Sequence, residues 1–127
     1  MPGAADHLAS KLEVAVGDSL YASVSGPPIW SRLFCFCGDG MYRVSVRCTR
    51  NFLDVSIRSV TSEGDEDEGI SVMFCASIGH RSRIQVEHSA KGLDADVFAA
   101  VRFGTQVAET AAASWERARR EQDAGPG

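Results

Sequence analysis

MYRVSVRC (residues 41–48), TRN (49–51), FLDVSIRSV (52–60) and ISVMFCASI (70–78) decide how this chain is read. Apolar and polar residues alternate through them almost without a break. Val44, Val46 and Cys48 fall on one side, and Arg43, Ser45 and Arg47 on the other. Leu53, Val55 and Ile57 oppose Asp54, Ser56 and Arg58 in the same way, and Ile70, Val72, Phe74, Ala76 and Ile78 share one apolar face of the third segment. A period of two with many β-branched residues is the pattern of a half-buried antiparallel strand. Thr49-Arg50-Asn51 reads as the turn between two such strands. The next connection, SEGDEDEG (62–69), is too charged to bury and is expected to be a mobile acidic loop.

Working towards the N-terminus, Leu33 to Cys37 reads as a further strand, with Gly38-Asp39-Gly40 as a hairpin turn into Met41. Gly26-Pro27-Pro28 breaks any regular pattern and marks a connection, with Ile29 and Trp30 expected to anchor it to the core. Residues 12–24 alternate around the turn signal Gly17-Asp18, which favours strand, turn, strand. The rival reading is one helix over 4–24, because Leu8, Leu12, Val16 and Leu20 are four apart. Residues 1–10 and 123–127 read as frayed tails.

Towards the C-terminus, Gly79-His80 turns the chain into a last strand through Ile84 and Val86. The period then changes. From Ala95 to about Gln122 the pattern is helical, with Phe98, Val101, Thr105, Ala108, Ala111 or Ala112, and Trp115 along one stripe. Gly104 interrupts it, as a kink or a point of close approach to the sheet. The expected architecture is a single α+β domain over 1–127. An antiparallel meander of six to seven strands, or a partly closed barrel, is covered by one long C-terminal helix. This order of elements is similar to that of pleckstrin-homology-like folds, in which a C-terminal helix that often carries a Trp caps a curved barrel. The length of the helix and the late position of Trp115 depart from that pattern.

A chain of 127 residues holds one core. Its net charge of −4 argues against a general nucleic-acid binder, yet the acidity is local. Five acids lie in residues 63–68, and without them 13 basic residues stand against 12 acidic ones. The segment MPGAADHLASKLE lacks a basic stretch followed by an apolar one, so no secretory signal is expected. Four cysteines in such a chain point to free thiols and a cytoplasmic location.

No catalytic or nucleotide-binding motif stands out. Cys35 and Cys37, with Cys48, Cys75 and a histidine, supply enough ligands for zinc, but the spacing suits buried thiols better. Neither metal nor cofactor is expected. A nucleophilic Cys48 or Cys75 with His80 or His88 has no local support. Two surfaces remain. One is a basic patch of Arg43, Arg47, Arg58, Arg81 and Arg83 on the exposed sheet face, without interleaved aromatic rings. The other is the end of the C-terminal helix, with Ala108, Ala112, Trp115 and Arg119 as partner-binding residues. A helix of roughly 26 residues spans about 39 Å. A six-residue strand covers about 20 Å, so Trp115 is expected on an overhang. The expected function is a non-enzymatic protein–protein interaction module, meaning a subunit, adaptor or assembly-chaperone-like protein, or a homo-oligomer. The alternatives are a lipid or small-ligand binder using a cup between sheet and helix and a basic headgroup patch, and then a zinc or thiol enzyme.

Overall fold

The computed structural model describes residues 4–37, 40–60, 66–88 and 94–124, with the side chains of 7–35, 41–60, 71–85 and 101–123. Helix α1 (Ala4–Ser25) precedes strands β1 (Ser31–Cys37), β2 (Gly40–Cys48), β3 (Phe52–Val60), β4 (Glu66–Ser77) and β5 (His80–His88). Helix α2 (Asp94–Ala124) closes the chain. The strands form one open antiparallel sheet in sequence order, β1 to β5. Both helices pack on one face, α1 against β1 and β2, and α2 against β3 and β4. Among the described residues the fold class is therefore α+β, with five strands in place of six or seven, an open sheet in place of a barrel, and two covering helices in place of one. The helix at the front also separates this element order from the pleckstrin-homology-like one.

The missing strands are α1. Alternation would have turned Leu12, Val14 and Val16 to one face, but Val14 is 62% exposed. The buried set is Leu12, Ala15, Val16, Ser19 and Leu20, which is helical spacing. Fully burying an aliphatic side chain is worth about 1.5–3 kcal/mol. Three of them outweigh the roughly 1 kcal/mol that Gly17 costs inside a helix. Helix α1 begins at Ala4, so residues 4–10 are not a frayed tail, and α2 runs to Ala124.

The central strands follow the alternation. The register sets Val46 against Val55 and Val55 against Phe74, and likewise Val44 against Ile57 and Ile57 against Val72. These side chains are buried, and they meet Leu12, Val16 and Leu20 from α1 and Phe103, Val107, Ala111 and Trp115 from α2. Among the described residues the space between sheet and helices is thus filled by core side chains. Ser19 ties the layers together. Its Oγ accepts from the Cys48 backbone N–H at 3.0 Å and donates to the Ile29 carbonyl at 3.1 Å.

The turns at 49–51 and at Gly79 stand where the sequence places them, and the acidic loop does not. The β4–β5 reversal passes through Gly79 at φ +80°, a conformation suited to glycine. β1 and β2 pair as a hairpin up to Cys37 and Gly40, while Gly38 and Asp39 lie outside the described residues. Of the supposed acidic loop, Glu66–Gly69 belongs to β4, and 61–65 lie outside the described residues. The Ile29 side chain is 54% exposed, and it is the Ile29 carbonyl, on the Ser19 hydroxyl, that anchors the connection. Among the described residues no helix is long and apolar enough to cross a membrane.

Candidate functional site

The helix-end surface does not survive folding as expected. Ala108 and Trp115 are in the core at 1% and 4% exposure. The Trp115 indole N–H donates to the Thr49 carbonyl at 2.8 Å. Two facts defeat the overhang. The strands run seven to twelve residues and not six, so the sheet is longer than assumed, and the β2–β3 turn reaches under the helix end. There Arg50 forms an ion pair with Asp123. Ala112 is half-buried against the core. Arg119, also half-buried, lays its guanidinium over the Trp115 ring, 4.6 Å from the centroid. The buried stripe of α2 is Phe103, Gly104, Val107, Ala108, Ala111, Ser114 and Trp115. Val101 and Thr105 lie at its margin, and the side chain of Phe98 is outside the described set.

The other surface is real as geometry. Among the described residues no helix lies on the outer face of the sheet, and the register arranges its side chains in rows. One row is Arg47, Asp54, Cys75 and Arg83. The next is Arg32, Ser45, Ser56, Met73 and Gln85. The third is Phe34, Arg43, Arg58 and Ser71. Arginine at alternate positions of β2 and β3 is what period two does with a sequence such as RVSVR. Ser45 is buried on this helix-free face at 7% exposure. The long side chains around it supply the cover, as arginine stems do when their heads reach for water.

The five arginines of the patch play different parts. Arg47 is committed to the fold. It donates from Nη2 to Asp54 Oδ2 at 2.9 Å. Its guanidinium lies 4.8 Å from the Trp30 ring centroid and 5.7 Å from that of Phe52. Among the described residues its buried Nε has no hydrogen-bond partner. Aromatic rings do therefore stand among these arginines, contrary to expectation. Phe52 shares the parity of Asp54 and was legible in the sequence; Trp30 required the β1–β2 register. Arg43 and Arg58 face each other directly, both half-buried and both engaged by other groups. Arg81 and Arg83 are exposed and make no ion pair with a described residue. They line a groove of 420 Å³ with Asp54, Met73, Cys75 and His80. Cys75 and His80 as walls of an arginine groove were missed, because strand pairing alone brings them together.

Two of the thiols, Cys48 and Cys75, are held away from the thiolate form. Burial pushes Cys48 up to about 11, with the Ser19 hydrogen bond working the other way. Cys75 is also raised, first by burial and then by the Asp54 carboxylate beside it. A nucleophilic cysteine needs the opposite shift. Cys35 packs against the core and directs its thiol at the Tyr42 carbonyl. Among the described residues no three His, Cys, Asp or Glu side chains group as a metal site. No family model, no curated protein and no solved structure matches this chain.

Proposed function

We propose that this chain is a non-enzymatic protein–protein interaction module that takes an acidic segment of a partner on the outer face of its sheet. One observation carries the reading: the face opposite the helices presents arginines in register and ends in a groove bearing Arg81 and Arg83. Exposed guanidinium groups that make no ion pair with a described residue are available for paired hydrogen bonds to an acidic side chain. Arg47, locked by Asp54 and two rings, acts as the rigid floor beside them. Such a module would serve as a subunit, adaptor or assembly-chaperone-like protein.

The test is affinity capture from the native source with the parent chain and with R81E/R83E, alongside sedimentation with anionic lipid vesicles. A stoichiometric protein partner, released by salt and lost with the double variant, is the expected result. Equal capture by parent and variant, or binding to vesicles with no protein partner, overturns the reading. The vesicle result would favour a lipid headgroup at the same arginines.

A further inference from the structure

Strand β1 is an edge of the sheet, and α1 lies above it with one face uncovered by any described element. Edge strands carry unpaired backbone donors and acceptors that invite a further strand. β1 carries no lysine or proline to discourage one, Arg32 is its one charged residue, and its Phe34 is 48% exposed. Between α1 and β1 runs a groove of 510 Å³ lined by His7, Lys11, Val14, Asp18 and Leu33, among others.

The exposed stripe of α1 beside this groove is His7, Lys11, Val14, Asp18 and Tyr21. The steps are four, three, four and three, the spacing of a seam between two packed helices. Val14 and Tyr21 are exposed at 62% and 79%. The stripe is complementary to itself when reversed. With Val14 set against a second Val14, Lys11 meets a second Asp18, and His7 meets a second Tyr21. Neither Lys11 nor Asp18 makes an ion pair with a described residue of its own chain.

We infer that a second copy of this chain docks along α1 and β1, across a twofold axis that passes Val14 and Leu33. Sheet geometry supports the helix seam and the strand edge sharing that axis. Strands are spaced about 4.8 Å apart, so two antiparallel copies of β1 each lie about 2.4 Å from an axis normal to the sheet. A helix seated over β1 and β2 lies about 5 Å from it. The two α1 helices then run antiparallel about 10 Å apart, which is the separation of packed helices. A strand register centred on Leu33 also sets Arg32 of one copy beside Phe34 of the other and covers that ring. The product is one continuous ten-stranded sheet with all four helices on the same side, within the usual limit of about ten strands for an open sheet.

The experiment is sedimentation equilibrium on the full chain, with the variants K11D, D18K and K11D/D18K. The parent is expected at twice 13.6 kDa. Each single reversal sets like charges against each other twice across the axis and is expected to weaken association about tenfold. The double variant restores both pairs and is expected to associate like the parent. Val14→Asp, at an exposed position, should give a folded monomer by circular dichroism and sedimentation. A parent that is monomeric across the micromolar range overturns the inference. So does a dimer indifferent to the single reversals, or a double variant no better than either single one.

Discussion

Helices α1 and α2 each carry an internal glycine, and the two glycines stand in opposite surroundings. A Cβ added at Gly17 would meet nothing within 4 Å. One added at Gly104 would lie 3.0–3.2 Å from the Cβ and both γ-carbons of Val72. In α2 the glycine is what lets the helix approach β4 closely. In α1 it costs helix stability with no contact in this chain to show for it. The same difference runs along the helices. α2 is held against the sheet by Phe103, Val107 and Trp115 and is tied at its end by Arg50 and Asp123. α1 buries one side and leaves Val14 and Tyr21 in solvent. A helix read from sequence can thus be a clamp or a half-used surface, and the glycine shows which.

Trp115→Ala should break the comparison most severely. Loss of a buried ring costs roughly 3–5 kcal/mol, and the Thr49 carbonyl loses its donor as well. That is a large share of the ~5–15 kcal/mol that holds a domain together. Urea unfolding should show it as a large fall in midpoint; an unchanged midpoint would mean that α2 ends on the surface after all. Next in size is Gly104→Ala. Alanine gains about 1 kcal/mol in helix propensity, but crowding a well-packed site costs about 1–3 kcal/mol. Val72 is β-branched, itself 1% exposed, and has little room to give. A net loss of up to about 2 kcal/mol is expected, and a stabilised variant would place α2 farther from the sheet. The smallest effect is a gain. Gly17→Ala should raise stability by about 1 kcal/mol, or about 3–5 °C in melting temperature. A fall instead would show that Gly17 makes a close contact, in the chain or in an assembly.

Strands β2, β3 and most of β4 are determined by the sequence itself, because a period of two leaves only one way to bury Val44, Val55 and Val72 together. α2 is determined in the same way by its 3.6-residue period, and so is the placing of Arg43, Arg47 and Arg58 on a face away from the core. Tertiary structure decided the rest. Residues 12–24 satisfy both periods, and only the need of β1 and β2 for a cover selects the helix that buries Ser19 and exposes Val14. The stripe of α2 was off by part of a turn for a related reason: α1 packs beside α2, Phe103 lies against Tyr42 of β2, and no local pattern registers such neighbours. The arginines looked alike in sequence. Pairing across strands neutralised Arg47 with Asp54 and enclosed it between Trp30 and Phe52, while Arg81 and Arg83, on the edge strand β5, kept their charge exposed. Local periodicity reports which side of an element is apolar. Which neighbour meets that side, and which charge meets which, depends on contacts between residues far apart in the chain.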